Sequence, residues 1–328
     1  MINQTWRRVS CTGTLLSILI TYVSANTTCT TVDSWDALKD IIADTAAASL
    51  SDNTAPLILL CPFDIQKIHG ARTNHRNDML IIDSPIQVHC YKSQPGDMCK
   101  ITSVGPKCNR RLKCQHVMEI RTSDVTLQGL TFSGAQAGSL VINSKSKGIR
   151  LIDVEYDTNA SPNEKEGSII EAEYGTSTTI IDSRFINNDG TAIENSGGTM
   201  TIISSTFVGN EATPTWSSND VENKGGGVGG AIMNNSGSTL FISESRFVQN
   251  GAEQSGPAIQ SHGGRTIDAG GNCGRENHVL NGGACDGIFD QQTSSCMSFG
   301  TLCSDDVRAS DDLSLLMHED LKDLFQFR

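Results

Sequence analysis

Two columns of charge are the first place in this chain to look for chemistry. Asp153, Asp182, Ser204 and Glu244 recur at one position of a repeating segment, beside Glu155, Arg184, Thr206 and Arg246. Calcium takes clustered carboxylate oxygens, which makes Asp153, Asp182 and Glu155 the candidate ligands for a metal. Asp beside Arg on neighbouring strands has a simpler reading, a cross-strand ion pair on a solvated face. Ser261-His262-Gly263 sets one histidine near the end of the same region, where it reads as a surface or corner residue. Gly225, Gly227 and Gly230 formally match G-x-G-x-x-G. That loop cradles a phosphate only between a strand and the first turn of a helix. Here EATPTWSSNDVENK leads in and AIMNNSGS leads out, both rich in turn formers, so a structural demand for glycine explains the run better and no cofactor is expected.

The chain has 11 cysteines. Cys11 falls in the first 25 residues, where two arginines, an apolar run and small residues at Val23-Ser24-Ala25 read as a secretory signal peptide. The other cysteines form two even groups: Cys29, Cys61, Cys90, Cys99, Cys108 and Cys114, then Cys273, Cys285, Cys296 and Cys303. In an exported chain these are two disulfide clusters of open connectivity. Zinc would ask for a C-x-x-C or H-E-x-x-H spacing, and neither occurs. No later segment is long and apolar enough to span a membrane once the leader is cleaved, so the expectation is a secreted or cell-surface protein. A formal net charge of −12 excludes nucleic acid as the partner, because phosphate contacts need clustered Lys and Arg. Asn26, Asn159 and Asn234 open N-x-S/T acceptor sites, each of which must lie on the surface to carry a glycan.

What positions these residues is a repeat. Copies of about 22 residues open at Gly138, Gly167, Gly190, Gly229 and Gly256. Within each, a short apolar strand follows the glycine, then a turn, an alternating strand, an aromatic residue and an asparagine. Ile149, Thr178, Met200 and Leu240 share a column, and Leu151, Ile180, Ile202 and Ile242 stand two residues on, which is strand periodicity. Tyr156, Phe185, Phe207 and Phe247 form an aromatic column; Asn159, Asn188, Asn210 and Asn250 close it. Such copies bury their apolar face only by stacking on each other. The predicted fold is all-β, a right-handed parallel β-helix, with the Asn column at a turn because Asn tolerates left-handed backbone and can bond to the coils above and below.

Upstream segments supply about three more coils, with Phe132 in the aromatic column. Ahead of them DSWDALKDIIADTAAASL places Trp35, Leu38, Ile41 and Ile42 on one helical stripe, with Asp33 or Ser34 as N-cap. A solenoid end needs a cover, and this helix is the expected one. The organisation is then signal peptide 1–25, capping helix 26–54, β-helix 55–280, and a disulfide-containing C-terminal segment 281–328 whose tail, with Leu313, Leu316, Met317, Leu321, Leu324 and Phe325 on one side, reads as an amphipathic helix closing the far end.

The LLCPF and VHC segments, SDVTLQGLTFSGA and the GGAI…FVQN coils together resemble the secreted right-handed parallel β-helix proteins of the pectin-lyase-like superfamily. The GGAI and F-x-x-N signature is similar to polymorphic outer-membrane protein repeats. The resemblance implies the fold over residues 55 to 280 and says little about activity, since the matching residues are structural. Hydrolases of that fold use N-x-D, D-D, G-H-G and R-x-K on successive coils; here the nearest match is Ser261-His262-Gly263, and the D-D pairs, Asp305-Asp306 and Asp311-Asp312, lie beyond the coils in the tail. Lyases of the fold hold calcium on outward carboxylates and draw off a proton with Arg or Lys, which makes Asp153, Asp182 and Arg184 the candidate catalytic residues of a polysaccharide lyase or glycoside hydrolase acting on an acidic glycan. The preferred expectation is a structural or adhesion-type binding module for an extracellular glycan or protein, with Trp216 on the inserted loop 214–223 as the candidate contact.

Overall fold

The structure is a computed structural model that describes residues 28–48, 55–68, 79–94, 96–104, 116–160, 168–212, 229–253, 255–279 and 285–304. Asn26, Cys108, Cys114, Trp216, Gly167, Gly225, Gly227, residues 1–25 and the tail beyond 304 lie outside the described residues.

Eight coils stack into a parallel β-helix, in the right-handed sense that strand–crossover–strand connections take. Each coil contributes one strand to each of three long sheets. Sheet A runs 57–60, 86–90, 125–128, 149–152, 177–181, 199–203, 239–243 and 265–268; sheet B runs 63–68, 99–104, 130–133, 155–157, 184–186, 206–208, 246–248 and 273–275. Sheet C runs 80–82, 118–120, 140–142, 168–172, 191–195, 232–235, 259–262 and 287–290, and ends on an antiparallel strand, 295–298. The sequence columns are register partners: Ile149↔Thr178↔Met200↔Leu240 and Leu151↔Ile180↔Ile202↔Ile242. Alternate residues of most strands in sheets A and B point inward, and the buried Leu, Ile, Val and Phe side chains make one continuous core.

Along that core Phe132, Tyr156, Phe185, Phe207 and Phe247 stack face to face, with centroids 5.2, 5.1, 4.7 and 4.9 Å apart. The interval is the coil spacing itself, so each ring rides on its own strand without distortion. Phe299, from the C-terminal segment, lies on Phe247 at 5.3 Å and closes the stack.

Of the two causes expected for the asparagine column, the amide ladder holds and the left-handed backbone does not. None of its members adopts a left-handed backbone; the residue before each does, at Thr158, Asn187, Gly209, Gln249 and Glu276. The asparagines are selected for their amides. Asn188 Nδ2 donates to Asn210 Oδ1 at 2.7 Å and to Tyr156 O at 3.0 Å, and Asn210 repeats the pattern to Asn250 and Phe185 O, both at 2.9 Å. Asn277 extends the ladder by one more coil. Gly138, Gly190, Gly229 and Gly256 do open coils at corners, each with positive φ, as an achiral residue there requires.

Two of the glycan acceptors must be corrected. Asn159 sits in this ladder, buried, with its amide bonded to Asn188 and to Phe132 O. Asn234 sits in a second, shorter ladder, accepting from Asn195 Nδ2 at 3.0 Å and donating to Arg265 O and Thr266 Oγ1, both at 3.1 Å. Neither side chain reaches the surface a glycan needs.

Helix α1 (Trp35–Ala48) covers the first coil. Ser34 is its N-cap, its Oγ accepting from Ala37 N at 3.2 Å, and Trp35, Leu38 and Ile42 are buried in the core cluster with Ile41 packed against it. Disulfides Cys29–Cys61 and Cys90–Cys99 staple that end, and Cys273–Cys303 and Cys285–Cys296 staple the other. Each group of cysteines closes on itself among the described residues.

Candidate functional site

The sequence candidates stand together at the corner between sheets A and B. Gly129, Asp153, Asp182, Ser204, Glu244 and Gly271 all have positive φ, between 50° and 73°. One residue makes this turn in each of these six coils, and the column is filled by Gly and polar residues. Serines follow it: Ser183 N, Ser205 N and Val154 N each donate to the Oγ of the next serine, at 3.2 Å. The carboxylates at the corner point into solvent. Asp153 Oδ2 pairs with Lys92 Nζ at 2.5 Å, both about half exposed, and Glu244 accepts from Ser204 Oγ at 3.0 Å. Asp182 is exposed one coil from Asp153.

Glu155 and Arg184 stand on sheet B as register partners, with Glu155 Oε2 3.6 Å from Arg184 Nε. This is a cross-strand ion pair with Glu155 where the simpler reading had an Asp, and it is worth little at such exposure. Among the described residues no three His, Cys, Asp or Glu side chains gather as a metal would need. His262, exposed, ends a strand of sheet C.

A better-built polar constellation lies on the outer face of sheet C, and the sequence reading missed it. The outward row runs Glu119↔Val141↔Glu171↔Glu194↔Met233↔Gln260↔Phe289. Arg121 clamps the Glu119 carboxylate through Nε at 2.7 Å and Nη2 at 2.6 Å, and Asn143 Nδ2 adds a third bond at 2.6 Å. The hydrogen bonds from Arg121 hold Glu119 below the usual carboxylate range against the opposing effect of burial. Glu194 Oε1 accepts from Ser196 Oγ and Asn235 Nδ2, both at 2.8 Å, and Glu173 Oε2 accepts from Ser144 N at 2.9 Å and Ser144 Oγ at 2.7 Å. Gln260 Nε2 donates to Gln291 Oε1 at 2.9 Å. The signal was present as I-E-A-E and I-E-N-S, with Glu171 and Glu194 each one residue past an inward Ile; a strand taken as merely apolar hides its outward member.

Glu194 is only 6% exposed and Gln260 is fully buried, although both leave the outer side of a sheet. The longest stretches of chain between strands run from sheet B to sheet C. A row of fixed acceptors and amides can hold hydroxyls or amides of an extended ligand in register with the coils. Four glutamates against one arginine make the face unfit for a polyanion.

Fold and site together define a capped parallel β-helix with a polar sheet face. No family model, no curated protein and no solved structure matches the chain. Its cysteines are paired wherever both partners are described, and no helix among the described residues is long and apolar enough to cross a membrane.

Proposed function

We propose that this protein is a secreted or cell-surface binding module of the pectin-lyase-like β-helix type, taking an extracellular glycan or protein along sheet C. The observation that carries the reading is the hydrogen-bonded row Glu119–Arg121–Asn143, Glu194–Ser196–Asn235 and Gln260–Gln291, held in register along the axis. Fixed polar groups on rigid strands suit recognition, and the clamped Glu119 is an acceptor only, unsuited to giving a proton. Asp153, Asp182 and Arg184 stand apart from this row, with Asp153 paired to Lys92 and Arg184 to Glu155.

One observation keeps a second reading, glycoside hydrolysis. Glu171 and Glu194 are register partners on adjacent coils, a spacing of about 4.8 Å between strands, near the carboxyl separation of retaining glycosidases. Titrating immobilised protein with a panel of neutral and acidic glycans and extracellular proteins separates the two. The binding reading expects a saturable ligand lost in Asn143→Ala and Asn235→Ala and no bond cleavage. If every ligand found binds equally to both variants, sheet C is removed from the account.

A further inference from the structure

The outer face of sheet A is unlike the other two. Sheet B is lined by Asp64, Lys100, Glu155, Arg184 and Arg246, and sheet C by its glutamates. Over coils five to seven, sheet A presents the rows Ser177↔Thr199↔Thr239, Thr179↔Thr201↔Phe241 and Ile181↔Ile203↔Ser243, with no charge among them; exposed Arg150 and Arg265, partners of Thr179 and Thr239, bound this stretch on the neighbouring coils. Phe241, 37% exposed, stands beside Thr201. The connections that frame this face are tight: one left-handed residue on the sheet B side, and glycine turns at Gly175, Gly197 and Gly237 on the sheet C side. Nothing long springs from either edge between coils four and seven, because the longest stretches of chain between strands run from sheet B to sheet C instead.

The six hydroxyls make no side-chain hydrogen bond to any described residue. The sheet thus holds hydroxyls without side-chain partners at intervals of about 4.8 Å between coils and about 6.6 Å along each strand. A methyl-bearing row and one exposed aromatic ring accompany them. From this face we infer a second ligand surface, for an extended uncharged polysaccharide. Phe241 would stack on the C–H face of a sugar ring, and the Thr and Ser hydroxyls would exchange hydrogen bonds with its hydroxyls.

Area and charge choose this occupant over a second copy of the chain. The three coils offer roughly 14 by 17 Å, about 240 Å², well under the ~800 Å² per partner of a stable protein interface. The absence of charge suits a neutral glycan, and the net charge of −12 over the whole chain disfavours a polyanion. The inference rests on the reading of the protein as an extracellular binding module but uses a different face.

The test is co-sedimentation of the full, disulfide-bonded protein with insoluble cellulose, chitin and β-1,3-glucan, beside Phe241→Ala, Thr201→Lys and the sheet C variant Asn235→Ala. Circular dichroism melts serve as the folding control, since outward substitutions leave stability nearly unchanged. The expected result is retention of the wild type on at least one neutral glycan. Loss of about tenfold in affinity follows in both sheet A variants, with retention in Asn235→Ala. Retention that survives both sheet A variants, or no retention on any of the three solids, overturns the inference. The latter outcome leaves the sheet C reading standing if its own ligand still binds. Phe241→Ala turning a dimer into a monomer in sedimentation velocity would also overturn it, by making the face a protein interface.

Discussion

Asn210 shows how one side chain can serve three coils. Its amide donates to Asn250 Oδ1 and to Phe185 O, and its own Oδ1 accepts from Asn188 Nδ2 and Asn188 N, all in a buried column. Truncation leaves several buried donors and acceptors without partners, each worth about 1–3 kcal/mol. Asn210→Ala is therefore expected to destabilise by roughly 3 kcal/mol or more. Chemical denaturation reads this directly, and a change under about 0.5 kcal/mol would show that water replaces the ladder. Tyr156 gives the opposite case. It occupies an aromatic column otherwise filled by Phe, and its hydroxyl is buried with no hydrogen-bond partner among the described residues. Burial raises the phenol far above its ordinary range. Tyr156→Phe removes a desolvated group while keeping the ring, so the melting temperature should rise or hold. A clear fall would mean that the hydroxyl is bonded.

At the scale of elements, the junction of α1 with the first two coils carries an acid sensitivity. Lys67 is buried with its Nζ 5.6 Å from the Trp35 ring centroid and donates to His116 O at 2.9 Å. Burial, with the Lys67 charge adding to it and Glu119 opposing, lowers the His116 imidazole from 6.5 to about 4. The unfolded chain therefore takes up this proton first as pH falls. Stability from His116 is complete above about pH 6.5, declines between there and about pH 4, and is flat below that. Glu119, held below its usual range by Arg121, loses its own contribution at still lower pH, in the same direction. Denaturant midpoints between pH 7 and 4 should fall for the wild type and fall less for His116→Gln. Parallel curves for the two proteins would place the sensitivity elsewhere. This junction could not be read from sequence, because Lys67, His116 and Glu119 meet across 52 residues and two coils.

For the molecule as a whole, the columns of the repeat and the helical cover were legible because stacking forces like residues into register. Phe132 to Phe247 could be aligned on paper for that reason, and so could Ser34 before Trp35. Function was less legible. Asp153 and Asp182 share, besides their charge, a left-handed backbone that the sequence does not show. The sheet C row was hidden because Glu119, Glu171 and Glu194 belong to copies of unequal length, which align only once the strands do. The central claim is that this rigid face binds without breaking bonds. Its most direct test is incubation of the purified protein with the glycan panel, with and without calcium, following new reducing ends and unsaturated products over the time in which binding saturates. The account predicts saturable retention and no product. Release of product that disappears in Glu194→Gln, or in Asp153→Ala and Asp182→Ala, would contradict it.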